Sequence, residues 1–571
     1  MSSEDSDDRQ PPLRGHHSTS SQHEKFRKER QCTSNIFTQY QVTEPRFRFI
    51  PLLGCSIILL NDAEFFFKQV AMFRAIEAMY CIEYYQSNDP NIAALGRAIP
   101  ERLCKADSIE KQVATTYGLV MFFRILPCIF TAVPLGYLAD KAGRRPVLIL
   151  HKIGTIVFVS MEIIVYLSYP ALPIWVLYIS GFGALVGANF DLSLAMLFAS
   201  YTDVMPSPKQ RATLFFITTA MQYVGQAIFP LIAGWLINLD GEGGTAQVSL
   251  FLCLATAFLG LGITIFLFPE TLKREGSATE AKPLMEISEE NDDDDDDDDN
   301  AAGAIGKRAT ISFGGQFKMN LKISWASFNE VMSGVGVLNF LLLVISMFCT
   351  NTAIKSIDML GLVQYPVVKI GWTFSNVTFV TSIQALVYIA NYLALLPSYN
   401  RLGAYYRLSS SETSLCIMLA SSLVLIAGSV FLGFSATGTT FLISMAIYTL
   451  GTGLPVVTQA YISNLIEKER LARVLAALSM SSVAGKLAAT SLGPYIFGLG
   501  INSGKEELKG LLFFFCAMLF GGSVVTVGLV AIRTRKMSRE PQVGDDDVQL
   551  QEISREGQEN NHSQTDTHAD W

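Results

Sequence analysis

The sequence predicts an all-α membrane protein with twelve transmembrane helices arranged as two six-helix bundles. The chain has 571 residues, of which 50% are hydrophobic and 16% are charged, against about 25% charged in an average soluble protein. Charge-poor stretches of about twenty residues, long enough to cross a bilayer, recur along it as six, a polar gap and six more. The clearest stretch is Leu511–Ile532, which contains no charged residue.

The hydropathy pattern divides the chain into five parts. An N-terminal bundle covers 48–268, with spans at 48–70, 112–137, 147–168, 173–200, 212–237 and 246–268. A C-terminal bundle covers 334–532, with spans at 334–354, 373–397, 412–433, 439–464, 475–500 and 510–532. We expect the tails, 1–47 and 533–571, and the linker, 269–333, to be disordered, because they are polar and have few apolar residues to bury.

The net charge comes from one segment. The formal charge is −8, and Asp292–Asp299 is a run of eight aspartates, without which the chain is formally neutral. We interpret the run as a solvated spacer; a Ca²⁺ site is the alternative, but consecutive aspartates lack the spacing and the glycine turn of an ordered calcium loop. No broad basic surface is implied, so we expect no nucleic-acid partner.

Basic residues in the short loops predict the orientation. They follow spans 2, 4, 8 and 10: Lys141, Arg144 and Arg145; Lys209 and Arg211; Arg401 and Arg407; Lys468, Arg470 and Arg473. By the positive-inside rule these loops, both termini and the linker are cytoplasmic. No cleavable signal peptide is recognisable before span 1. We expect the plasma membrane rather than a vacuolar or other organelle membrane.

The two bundles show traces of duplication at an offset near 260 residues. Asp140-Lys-Ala-Gly143 after span 2 matches Asn400-Arg-Leu-Gly403 after span 8, and Tyr201 matches Tyr461. Pro230-x-x-x-Gly234 in span 5 matches Pro494-x-x-x-Gly498 in span 11. Matches in equivalent spans indicate a repeated six-helix unit. We expect the proline–glycine pairs to permit close packing of helices 5 and 11.

The loop between spans 2 and 3 reads Gly136-Tyr-Leu-Ala-Asp140-Lys-Ala-Gly143-Arg144-Arg145-Pro-Val-Leu148. It resembles the signature G-x-L-a-D-[RK]-x-G-R-R-x-x-L of the major facilitator superfamily. The resemblance implies the major facilitator fold, with two bundles rocking around a central cavity. It also implies a gating role for Gly136, Asp140, Gly143, Arg144 and Arg145. The glycine permits a tight turn, and the aspartate can pair with arginine.

Two finer resemblances point in different directions. Pro230 to Gly234 lies where drug:proton antiporters of the superfamily carry G-P-x-x-G-G, but Phe229 and Ala233 replace two of the glycines. A looser resemblance is to the proton-coupled folate transporter group and its fungal relatives. It rests on the sequence Gly-Arg-Arg-Pro-Val-Leu, on the long loop after span 1 and on Gln364-Tyr365 followed by Trp372.

Ionisable residues inside the spans are candidates for proton coupling or solute binding, because burying a charge in a membrane is costly. Glu64 and Lys68 in span 1 lie four residues apart, where they can neutralise each other. Asp62 points about 200° away from Glu64 and has no such local partner. The candidates are Asp62, Glu64, Arg124, Asp191 and Lys486, with Glu162 as a further acid in span 3. Interhelical salt bridges remain the alternative for each.

We therefore predict a secondary transporter of a small solute, coupled to protons, working as a monomer in the lipid bilayer. Two alternatives remain: a transporter-like receptor without turnover, and a drug:proton efflux antiporter. No nucleotide-binding loop or catalytic motif occurs, so we expect no enzyme, catalytic residue, cofactor or metal. Cys81 and Cys104 fall in the predicted outside loop, where a disulfide can form.

Overall fold

The computed structural model describes residues 47–96, 99–187, 190–205, 207–238, 246–272, 337–395, 401, 405, 410–465 and 468–539. The N-terminal half contains helices α1 (Ile50–Asn88), α2 (Asp107–Ala142), α3 (Arg144–Ser168), α4 (Phe190–Val204), α5 (Pro208–Asn238) and α6 (Gln247–Phe266). A short helix, Val176–Ser180, and a 3₁₀ segment, Gly181–Val186, precede α4. All described regular structure in this half is therefore helical.

The C-terminal half repeats this pattern. It contains α7 (Val337–Ser356), α8 (Phe374–Ala390), α9 (Ser410–Phe434), α10 (Gly438–Gly451), α11 (Lys468–Asn502) and α12 (Leu511–Arg539). A further helical piece, Leu454–Leu465, follows α10, and π-helical turns follow α7 and α8. By length and hydropathy, ten of the described helical segments can cross a membrane. The two that fall outside this criterion are α8 and α11.

Helix boundaries follow from local chemistry. Thr373 caps α8 by accepting a hydrogen bond from the Asn376 amide, and Thr437 forms a capping box with Thr440 at the start of α10. These hydroxyls satisfy amides that the first helical turn leaves without partners. Gly143, with φ +113°, separates α2 from α3. A residue with a Cβ atom rarely adopts that conformation, so the glycine fixes the position of the turn.

The structure differs from the sequence prediction at several boundaries. Helix α1 has 39 residues, so Cys81 lies on a helix rather than in the predicted outside loop. Helix α12 extends to Arg539, into the predicted C-terminal tail. Glu270, expected in the disordered linker, lies in the described part and contacts the α2–α3 turn. The aspartate run, residues 1–46 and the remainder of both polar segments lie outside the described residues.

The two halves touch near one end of the helices, which we call the disulfide end because Cys81 and Cys104 form a disulfide there. The opposite end, which carries the α2–α3 turn, is called the motif end. At the disulfide end Ser375 of α8 donates a hydrogen bond to the Gly234 carbonyl of α5 (2.9 Å) and accepts one from Asn238 (2.7 Å). The main hydrophobic core also continues through this end from one half to the other.

The proline–glycine pairs lie at equivalent contacts between the halves. A Cβ added at Gly234 of α5 would lie 2.3 Å from Thr378 Oγ1 of α8. On the other side, Pro494 of α11 fills the space beside Gly118 of α2, where a Cβ would lie 2.2 Å from the proline ring. Gly498 faces Lys111 of α2. Helix 5 therefore packs on helix 8 and helix 2 on helix 11, a symmetric arrangement that small residues permit. The second copy of the loop motif, 400–403, is largely outside the described residues.

Buried charges reinforce the contact at the disulfide end. Lys105 Nζ lies 2.5 Å from Glu77 Oε1 and 2.8 Å from Glu101 Oε1. The same Glu101 oxygen accepts a hydrogen bond from the Phe374 amide (2.8 Å), and Gln364 donates to Glu110 Oε2 (2.9 Å). Phe374 and Gln364 belong to the C-terminal half, so carboxylates of one half accept hydrogen bonds from the other.

Close packing within the C-terminal half gives a first prediction. A Cβ at Gly428 of α9 would lie 2.5 Å from Tyr448 Cα of α10, whereas a Cβ at Gly262 of α6 would meet no atom within 4 Å. We expect Gly428→Ala to lower the free energy of unfolding by about 1–3 kcal/mol through overpacking. The matched change Gly262→Ala should leave it unchanged or raise it, since alanine favours helix. Thermal unfolding of the purified protein measures both; equal stability of the two variants would contradict this packing.

Candidate functional site

A cavity of about 380 Å³ lies between the two halves, on the motif side of their contact. Helices α1, α2, α4 and α5 contribute one wall, and α7 and α11 contribute the other. Its polar lining residues are Asp62, Arg124, Asp191, Gln222, Tyr223, Gln226, Lys355 and Lys486. Four of the five predicted site residues therefore line one cavity. The fifth, Glu64, lines a smaller neighbouring pocket.

Asp62 is a buried carboxylate on the cavity wall. Its side chain lies against the backbone of Gly225 on α5, where an added Cβ would lie 2.8 Å from Asp62 Oδ2. The residue is 5% exposed, and Oδ2 has no hydrogen-bond partner among the described residues. A buried carboxylate oxygen without a partner is costly when ionised. Asp62 is therefore the acid in this cavity that gains most from binding a proton.

An ion pair crosses the cavity between the halves. Lys486 Nζ of α11 lies 3.1 Å from Asp191 Oδ2 of α4, and both side chains are partly exposed to the cavity. The interhelical salt bridge that the sequence left open is thus present for these two residues. It links the halves at a point that a bound solute would reach.

Two further cations line the cavity. Arg124 of α2 stacks on the Phe158 ring, with 4.9 Å between its guanidinium carbon and the ring centroid. Lys355 belongs to α7, whereas the hydropathy pattern placed it in the loop after span 7. Neither has a carboxylate within 4.0 Å among the described residues. Hydropathy did not single out Lys355, because a lysine near the end of a span is typical of the membrane interface.

Two buried charges of α1, Glu64 and Lys68, pair with α3 and not with each other. Glu64 forms an ion pair with Lys152, and Lys152 also donates to Asn61 Oδ1 (2.5 Å). Lys68 pairs with Glu162 (3.2 Å). The expected Glu64–Lys68 pair is therefore a wrong prediction: α3 supplies a closer partner of opposite charge to each residue. Lys152 was missed because its partner lies 88 residues away in the sequence.

The C-terminal half contributes a polar cluster around Asp358, a residue that sequence reasoning missed. Asp358, in the π-helical turn after α7, accepts hydrogen bonds from Gln384 (3.4 Å) and Tyr448 (3.5 Å). A π-turn is typical of functional sites, since it displaces side chains from regular helical positions. Nearby, the Tyr223 ring packs on Tyr388 and Tyr392 of the other half, at centroid distances of 5.4 and 5.5 Å.

The α2–α3 turn forms a charged cluster at the motif end. Arg144 lies 2.6 Å from Asp140 Oδ1 and 3.2 Å from Asp203 Oδ2 of α4. The Glu270 carboxylate accepts hydrogen bonds from the amides of Arg144 (2.9 Å) and Arg145 (3.1 Å). It therefore caps the N-terminus of α3, where a negative charge is favourable. These four contacts lie within the N-terminal half, unlike the carboxylate contacts of the disulfide end.

Arg145 completes the cluster by reaching the end of α6. Its guanidinium donates to the Thr264 carbonyl (3.3 Å) and to the Ile265 carbonyl. A cation at the C-terminal end of a helix satisfies carbonyls that have no helical partner. The motif thus ties together the ends of α2, α3, α4 and α6. Gly136, in contrast, has no atom within 4 Å of an added Cβ.

Two helical bundles around a central cavity are typical of membrane transporters. The family profile described as Major Facilitator Superfamily matches residues 111–415, more than half of the chain, and the chain belongs to that superfamily. Two fungal relatives cover most of it. The "MFS efflux pump atnC" of Emericella nidulans is 23% identical over 86% of this chain and 89% of its own. The "MFS transporter SAT21" of Stachybotrys chartarum is 21% identical over 84% and 96%.

Solved structures show the same fold. The crystal structure of a D-xylose-proton symporter covers 84% of this chain and 97% of its own, with 13% identity and a TM-score of 0.51. The predicted fold class, the superfamily and the absence of an enzymatic role are confirmed by these matches. The looser resemblance to the folate transporter group has no counterpart among these matches and stays a prediction.

The tight turn of the motif gives a second prediction. A Cβ at Gly143 would lie 2.2 Å from the Glu270 carboxylate, at a φ of +113°. We expect Gly143→Ala to cost about 1–3 kcal/mol of stability from backbone strain, and to displace the Glu270 cap from α3. Gly136→Ala is the matched control and should be neutral. The melting temperature of the purified variants is the measurement. Equal melting temperatures for the two variants would contradict the strained turn.

Proposed function

We propose that the chain transports a small solute in exchange or together with protons, by alternating access of the cavity between its two halves. The observation that carries the proposal is Asp62, a buried carboxylate on the cavity wall, one oxygen of which has no hydrogen-bond partner within the described ranges. Binding and release of a proton at Asp62 would change the cavity charge by one unit. Such a change in a poorly hydrated site alters the affinity for a charged solute strongly.

The arrangement of contacts supports alternating access. In this state the halves are joined at the disulfide end through α2–α11 and α5–α8, while the cluster around Asp140 ties helix ends within one half. Exposure of the cavity on the other side requires the contacts of the disulfide end to open and the motif end to close. Asp140, Arg144 and Arg145 are placed to take part in that closure, as charged groups at helix ends.

We propose that the motif end faces the cytoplasm, because Lys141, Arg144 and Arg145 lie there and basic loops remain inside. The disulfide between Cys81 and Cys104 would then face the oxidising outside. We also propose that the protein lies in the plasma membrane. Export is the favoured direction, since the relative from Emericella nidulans is named an efflux pump. The loss of two glycines around Pro230 weighs against a dedicated drug antiporter.

A receptor without turnover is the second candidate, because binding alone needs only the cavity. Purified protein in sealed vesicles separates the two, since a receptor would bind a solute without moving it. Candidate solutes are first ranked by thermal stabilisation of the purified chain, because a ligand that binds the folded state raises its stability by mass action.

The proton-coupling role of Asp62 gives the third prediction. With the best-ranked solute, Asp62→Asn should abolish accumulation driven by an imposed pH gradient, while exchange of labelled solute without a gradient persists. The reason is that asparagine keeps the shape but cannot carry the proton. Asp107→Asn changes an exposed aspartate outside the cavity and is the control. Gradient-driven accumulation that is unchanged in Asp62→Asn would overturn the coupling role.

A further inference from the structure

The cavity wall carries more positive than negative charge. Its cations are Arg124, Lys355 and Lys486, and its carboxylates are Asp62 and Asp191, so the wall has an excess of one positive charge when all five are ionised. If Asp62 holds a proton, the excess rises to two. A low-dielectric cleft concentrates such a field and attracts ligands of the opposite charge.

Asp191 is already engaged by Lys486 at 3.1 Å, with relative side-chain exposures of 64% and 34%. An ion pair that is this exposed is weak, because water competes for both charges, so another charged group can replace one partner. An incoming carboxylate can take the place of Asp191 at the Lys486 ammonium. An incoming ammonium, in contrast, would have to displace Lys486 and then meet two further cations.

The other two cations have no competing ion pair. Arg124 faces the Phe158 ring and Lys355 lies on α7, and neither has a carboxylate within 4.0 Å among the described residues. Lys355 interacts electrostatically at longer range with Asp358, Lys486, Arg124 and Asp191. Two cationic side chains in one cleft that form no ion pair within 4.0 Å among the described residues favour binding of an anion.

The remaining lining is apolar and aromatic. Phe65, Phe66 and Phe190 lie on the same wall as Asp62, together with Met121. Phe65 and Phe66 meet edge to face, with centroids 5.0 Å apart. Such a surface binds rings and hydrocarbon faces by dispersion and by exclusion of water. The cavity therefore combines an anion-binding group with an apolar surface.

We propose that the transported solute is an amphipathic organic anion, whose carboxylate replaces Asp191 at Lys486 and whose apolar body lies against Phe65, Phe66 and Phe190. This inference rests on the proposed transport function of the cavity. It assigns the anion contacts to Lys486 and Lys355 and gives Asp191 the role of an internal competitor for the same ammonium group.

Binding to the purified full chain in detergent tests the proposal. The probes are 4-phenylbutyrate, naphthalene-2-acetate and decanoate, each with its primary amide and its amine, and the readout is the concentration dependence of thermal stabilisation. At least one carboxylate should stabilise the wild-type protein, and its amide and amine should not. Stabilisation by the amines alone, by acid and amide equally, or by no carboxylate of the series would overturn the inference.

Variants of Lys486 and Asp191 should change the affinity for the carboxylate in opposite directions. Lys486→Gln should weaken carboxylate binding about tenfold or more, as loss of a charged hydrogen-bond partner does. Asp191→Asn should strengthen it by about two- to fivefold, because an exposed internal competitor is removed. Lys509→Gln, which alters a lysine paired with Glu506 outside the cavity, should leave it unchanged. Weaker binding in Asp191→Asn would contradict the competition.

The outcomes separate this inference from the transport function. Carboxylate binding with these variant effects but no movement into vesicles would sustain the solute class and refute transport. Proton-driven movement of solutes that carry no negative charge, unaffected by Lys486→Gln, would sustain transport and refute the solute class.

Discussion

The need to neutralise the charges of α1 inside a membrane organises the N-terminal half. Glu64 and Lys68 are buried and cannot remain unpaired there without a cost of several kcal/mol. Helix α3 supplies both partners, Lys152 and Glu162, so the two helices are held in one register. Asp62, on the same helix, lines the cavity and has no such partner in the part of the chain that the structure describes. A framework of paired charges around an acid without such a partner fits the proton coupling proposed for this cavity.

The two ends of the molecule are held by different kinds of contact. At the disulfide end, Glu101 and Glu110 accept hydrogen bonds from the other half, so separation of the halves there leaves buried carboxylates to be solvated. At the motif end, Asp140 and Glu270 act within one half and organise helix ends. The described state is therefore stabilised mainly at the disulfide end. Under the proposed solute binding, a solute in the cavity would replace the Lys486–Asp191 ion pair, which joins the two halves. Binding would therefore change a contact between the halves.

Hydropathy and the loop signature were sufficient to predict the superfamily and the fold, because length, apolar composition and a tight glycine turn are local properties. The extent of α1 was not predictable from hydropathy: Arg74 and Glu77 end the apolar stretch, yet they pair with each other at 2.8 Å within the helix. Lys105 from a later segment also pairs with Glu77. The Glu64 pairing failed for the same reason, since the partner is set by tertiary packing. The places of Lys355 in the cavity wall and of Glu270 at the α2–α3 turn depend on contacts with residues distant in sequence, which hydropathy does not report.

The most direct test of alternating access is a distance measurement by pulsed electron paramagnetic resonance after the contact between halves is weakened. Spin labels at Gln86 and Asn502 report the disulfide end, and labels at Lys141 and Met480 report the motif side; all four positions are exposed. Gln364→Leu removes the donor to Glu110. Under alternating access, this change adds a longer distance at the disulfide end and a shorter one at the motif side. Distance distributions identical to those of the unaltered chain at both ends would contradict it.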